Sequence, residues 1–73
     1  MKELMIKYWE NEELREEGIS ELYDPNTNNL NEAIAMARKL IDREGFASVE
    51  VVVPSNEDEE VLFFYDGVTE ELF

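Results

Sequence analysis

Along residues 30–45, LNEAIAMARKLIDREG, apolar side chains recur at Leu30, Ala33, Ile34, Ala37, Leu40 and Ile41. Spacings of three and four gather them into one stripe on a helix. Asn29 with Glu32 three residues later forms an N-cap pair of the capping-box kind, and Gly45 follows as a residue able to take the left-handed conformation that ends helices. Arg43 suits the last turn. No other segment carries such a stripe, so the chain has one helix with which to cover whatever sheet the rest of it forms.

The rest reads as strands. Residues 2–9, KELMIKYW, alternate Leu4, Ile6 and Tyr8 against Glu3, Met5, Lys7 and Trp9. That is the period of two of a strand with one buried face. Residues 46–53, FASVEVVV, place Ala47, Val49, Val51 and Val53 on one side and Ser48, Glu50 and Val52 on the other, until Pro54 stops the run. Between the first strand and the helix, ENEELREEG has Leu14 as its only large apolar residue. A helix of about eight residues without an apolar face is marginal in water. The expectation is therefore a turn and a charged, edge-type ascent into a second strand ending at ISELYD, short and irregular because Ile19, Leu22 and Tyr23 do not share a parity. VLFFYDG, residues 61–67, is the fourth strand, returning from strand three through the loop PSNEDEE. The tail VTEELF is expected as a fraying end or a short helical turn.

These elements predict an α+β fold of order β-β-α-β-β, a single domain over residues 1–73 with one helix on one face of a mainly antiparallel four-stranded sheet. Such a sheet leaves its second face open, and VLFFY supplies large apolar residues to both. If Leu4, Ile6, Tyr8, Val49, Val51 and Val53 face the helix, then Met5, Trp9, Val52 and either Phe64 or Phe63 form an uncovered patch. Two outcomes are open: the tail folds back so that Leu72 and Phe73 shield it, or it buries on a partner or on a second copy.

Size and composition restrict the remaining choices. A core in 73 residues rarely supplies more than about 3 to 5 kcal/mol, and with no cysteine no disulfide staples it. No apolar run approaches a membrane span, and MKELMIKYWENEE has no signal-peptide core, so a cytoplasmic location is expected.

The net charge is -13, and it is unevenly placed. Residues 10–24 hold seven acids against Arg15, and residues 57–73 hold seven acids and no base, whereas residues 30–44 are balanced. Such a field repels phosphate, which argues against direct binding of nucleic acid or an anionic membrane and favours a basic protein partner.

The inventory for catalysis is thin. Histidine and cysteine are absent, so a Ser or Cys triad has no base, and nothing distinguishes one carboxylate as an acid from another as a base. An enzyme is not expected, nor a cofactor, since Gly18, Gly45 and Gly67 stand alone and make no phosphate-cradling loop. Asp24, Asn26 and Asn28 fall at the first, third and fifth places of a calcium loop, but Asn29 stands where glycine is needed and Ala35 where a bidentate glutamate is. A turn leading into the helix cap explains the same residues, and no metal site is expected.

What remains is recognition by charge. Carboxylates that mimic a phosphate backbone must be dense, and those at i and i+2 of a strand lie about 6.6 to 6.8 Å apart against one charge every ~3.4 Å along a DNA strand. Two acidic segments are therefore needed side by side: Glu12, Glu13, Glu16, Glu17 and Glu21 with Glu57, Asp58, Glu59 and Glu60. In size and charge the chain is similar to phage-encoded inhibitors such as uracil-DNA glycosylase inhibitor and anti-CRISPR proteins, a likeness of kind that brings no motif or residue with it. The leading expectation is a small acidic inhibitor of a basic, nucleic-acid-handling protein, with those acids steering and Met5, Trp9, Val52 and Phe64 anchoring. The alternative is an assembly protein that homodimerises through the open sheet face, its acids serving solubility alone.

Overall fold

The computed structural model describes residues 3–54 and 58–73. It is an α+β fold in which β1 (Met5–Trp9), α1 (Glu12–Glu17), β2 (Glu21–Tyr23), α2 (Leu30–Glu44), β3 (Ser48–Val53), β4 (Glu60–Tyr65) and β5 (Glu70–Leu72) follow in that order. The strands form one antiparallel sheet of order β2-β1-β3-β4-β5. Among the described residues the strand count is thus five, not four, because the tail forms neither a frayed end nor a helical turn but an edge strand.

α2 forms as its stripe requires, with Ala33 and Ala37 fully buried against Leu4, Ile6, Val49, Val51 and Phe63. Its N-cap is built through Thr27. The Asn29 side chain accepts the Glu32 N–H at 3.1 Å, while the Thr27 hydroxyl accepts the Asn29 N–H and donates to the Glu32 carboxylate at 2.8 Å. The turn before it is an Asx turn, the Asp24 carboxylate accepting the Asn26 N–H at 2.8 Å. At the far end Gly45 has φ +71°, and its N–H returns to the Ile41 carbonyl.

The segment expected as a strand-like ascent is instead the helix α1. Leu14 is indeed its only large apolar residue, and it is only half-buried. Both ends are closed, however: Asn11 accepts the Leu14 N–H at 2.8 Å, and Gly18 at φ +74° donates to the Arg15 carbonyl at 3.2 Å. Capping of this kind offsets the nucleation cost that a bare six-residue helix does not recover. β2 is short, as expected, but its pairing with β1 is regular, because Ile19 lies outside the strand.

The puzzle of VLFFY resolves at a β-bulge. Val51 lies opposite Phe63 but Val52 lies opposite Val61, so Leu62 has no partner across the ladder. Leu62 and Phe63 both pack against the core, and Val61 and Phe64 fall on the other face. The chain therefore places consecutive large residues without exposing half of them.

Two rows of side chains cross the sheet. On the α2 face runs Tyr23, Ile6, Val51, Phe63 and Leu72; on the opposite face runs Leu22, Lys7, Glu50, Phe64 and Glu71. The first row is apolar from edge to edge. Outer strands of a five-stranded sheet are about 19 Å apart, whereas a helix with its side chains is about 10 to 12 Å wide. α2 therefore seals the middle of the row and leaves its ends, Tyr23 and Leu72, exposed.

Candidate functional site

The face away from α2 is not bare. Arg15 of α1 lies 5.8 Å from the Phe64 ring centroid, which sets α1 on this side, and Lys7 pairs with Glu59 at 3.0 Å, tying the segment before β4 to it. Lys7 also stands 5.4 Å from the Trp9 ring. Met5, Trp9 and Phe64 are half-buried and Val52 is fully buried. The expected exposed patch is therefore largely covered, with Arg15 of α1 beside Phe64 and the segment before β4 tied to Lys7. Leu72 and Phe73, which one of the two outcomes had shielding it, are instead 69% and 67% exposed at the β5 edge. Apolar exposure has moved from the open face to the two edges, with Ile19, Leu22 and Tyr23 at one and Val68, Leu72 and Phe73 at the other.

The two acidic segments join the sheet at opposite ends. β1 runs from Met5, opposite Val52, to Trp9, opposite Ser48, and Glu60 lies opposite Val53. Glu60 thus sits beyond the Met5 end of the sheet, while α1 and Glu21, which is opposite Tyr8, belong to the Trp9 end. Asp58 and Glu59 precede Glu60 on its side, and Glu57 lies outside the described residues.

Among the described residues the larger acidic cluster lies on the β1-α1-β2 connection. Glu10, Glu12, Glu13, Glu16, Glu17 and Glu21 are all exposed there. A six-residue helix is about 9 Å long, so the four glutamates of α1, less the charge of Arg15, which pairs with Glu12 at 3.7 Å, supply one net negative charge per ~3 Å, close to the ~3.4 Å of a DNA strand. The helix supplies the density that a strand lacks, a possibility foreclosed by reading this segment as extended. The crowding shows in protonation. Glu10 is held above the ordinary glutamate range, first by a hydrogen bond shared with Glu21 and then by that residue's charge. The Tyr8 hydroxyl is likewise raised, first by its hydrogen bond to Glu21.

No grouping of three or more acidic side chains among the described residues is arranged to hold a metal ion, and no helix there is long and apolar enough to cross a membrane. The chain matches no protein-family model, and no curated protein or solved structure is significantly similar to it.

Proposed function

We propose that the protein is a small acidic interaction module that binds a basic, nucleic-acid-handling protein and occupies its phosphate-binding surface with α1. The observation that carries this is the charge density of α1. Glu12 with Glu16 and Glu13 with Glu17 are like-charge neighbours that cost helix stability, yet the helix is held by caps at both ends. The same six acids extend across the turn to Glu21, so a partner meets a ridge of carboxylates. Steering by such a ridge raises association rates and is sensitive to ionic strength.

The experiment is displacement of labelled DNA from a panel of purified basic domains, duplex from the helix-turn-helix and homeodomain classes and single-stranded from the OB-fold class. The expected result is displacement from at least one of them that weakens steeply with salt and is lost in the Glu12→Gln, Glu13→Gln, Glu16→Gln, Glu17→Gln variant. Displacement from none of them at low ionic strength rejects the proposal. A chain that is dimeric at low and high salt, and that Trp9→Ala dissociates, favours the assembly reading instead.

A further inference from the structure

The β5 edge combines three features that the acidic ridge does not explain. Leu72 ends the apolar row of the α2 face and is 69% exposed. Beside it a groove of about 410 Å³ runs between α2 and β5, lined by Ile34, Ala35, Arg38, Phe63, Glu70 and Leu72. Its Arg38 and Glu70 are already paired with each other, Arg38 Nε donating to Glu70 at 2.7 Å, so the groove's own charges are balanced.

The third feature is the backbone. The Phe73 N–H donates to the Leu62 carbonyl and the Asp66 N–H to the Thr69 carbonyl, which fixes the phase of the β4-β5 ladder. In that phase Glu71 bonds inward to Phe64, and the N–H and C=O of Glu70 and Leu72 point out from the sheet. An outer edge with unpaired donors and acceptors is a template for one more strand.

We infer that β5 and the α2 groove accept an extended segment of a partner protein as a sixth strand, and that this segment sets an apolar side chain between lysines or arginines. The apolar side chain lies opposite Leu72 and enters the groove beside Ile34 and Phe63, where α2 is too narrow to cover the sheet. Its neighbour in sequence points to the other face, opposite the exposed Glu71, and is basic to match that carboxylate. A second copy of the chain fits poorly. The antiparallel register with the longest overlap puts Glu71 directly opposite its own counterpart, and each chain carries a net charge of -13. The inference rests on the proposed function only for the sign of the partner's charge.

The test uses the whole chain, isotope-labelled, with a capped Lys-Leu-Lys-Thr-Lys peptide followed by amide chemical shifts and hydrogen exchange. Slowed exchange at the Glu70 and Leu72 amides is expected. It should vanish when proline replaces the leucine and threonine of the peptide, and when glutamate replaces its lysines. Leu72→Ser should weaken binding about tenfold, as loss of one apolar anchor does. Leu72 is exposed, so that variant keeps its fold. Perturbation confined to α1 and β2 overturns the inference while agreeing with the acidic ridge. Protection of β5 that grows with protein concentration and without peptide also overturns it, naming a second copy as the occupant. Failure of the ridge itself shows separately, in the absence of DNA displacement.

Discussion

Phe63 and Phe64 are neighbours in the chain but stand on opposite faces of the sheet, each beside an arginine from a different helix. Arg38 of α2 lies 5.8 Å from the Phe63 ring centroid and Arg15 of α1 lies 5.8 Å from that of Phe64. The two rings are not equivalent: Phe63 is 2% exposed and Phe64 only half-buried. Phe63→Ala should cost about 3 to 5 kcal/mol. Since a core of this size rarely supplies more than that, the variant is expected to be unfolded by circular dichroism at room temperature. Phe64→Ala loses about half of a buried ring, about 1 to 2 kcal/mol, and should remain folded with a lower urea midpoint.

Ser48 is 1% exposed, and its hydroxyl has no hydrogen-bond partner among the described residues. It lies opposite Trp9 in the ladder. A buried hydroxyl without a partner costs about 1 to 3 kcal/mol relative to a satisfied one. Ser48→Ala should therefore raise the urea midpoint or leave it unchanged, in contrast to the usual loss for a core substitution. A fall in the midpoint would show that the hydroxyl is satisfied in solution.

Glu50 lies between Lys7 and Phe64 in its row and is raised above the ordinary glutamate range, first by burial and next by Glu59, with Lys7 opposing both. Because the folded state holds this proton more tightly than the unfolded one, the penalty is absent at pH values below the ordinary glutamate pKa. It grows as pH rises through the interval up to the raised value and is constant above it. Glu50→Gln should match the wild type in acid and be the more stable of the two at neutral pH. Denaturation midpoints of both proteins across that interval check the sign.

How much of this was legible in the sequence depends on what each element relies on. α2, β1 and β3 carry their own periodicity, and the caps at Asn29 and Gly45 bound α2 closely. α1 has no apolar stripe and is held by Asn11 and Gly18, a cap residue and a glycine seven positions apart that were visible but carry little weight without a stripe between them. β5 is three residues long and exists by pairing with β4, although Asp66 and Gly67 between VLFFY and TEEL are a hairpin signal. Of these two, only α1 lies on the open face, with Arg15 beside Phe64. A face looks bare when the element lying on it has been read as part of the sheet's edge.

Those like-charge pairs on α1 give a prediction that separates stability from binding. Each of Glu12 with Glu16 and Glu13 with Glu17 should destabilise the helix by roughly 0.2 to 0.5 kcal/mol. Glu17→Lys converts one pair to an attractive one and places a cation in the last turn, where the helix dipole favours it. A gain of about 1 kcal/mol in unfolding free energy is expected from these two effects together. If α1 is the binding ridge, the same variant should displace DNA from a basic partner less well than the wild type. A variant more stable and equally active would locate the ridge elsewhere.

Asp66 closes the turn on which β5 depends. Its carboxylate accepts the Thr69 N–H at 2.6 Å and the Val68 N–H at 2.9 Å, while its own N–H donates to the Thr69 carbonyl at 3.1 Å. These backbone donors, Thr69 first, hold its pKa below the ordinary aspartate value. A lowered folded-state pKa means that the ionised turn stabilises the fold above the ordinary aspartate value and loses that contribution as pH falls through the lowered one. Gly67, at φ +90°, fits the same turn, so the hairpin is set by this carboxylate and one glycine rather than by burial, Val68 being 93% exposed. Asp66→Ala should therefore release β5 before it unfolds the sheet. Amide exchange should accelerate at Glu71 and Phe73, whose N–H groups bond to β4, while Val49 and Val51 in the core stay protected. Equal acceleration at all four would mean that β5 is part of one cooperative unit and that its edge is as rigid as the core.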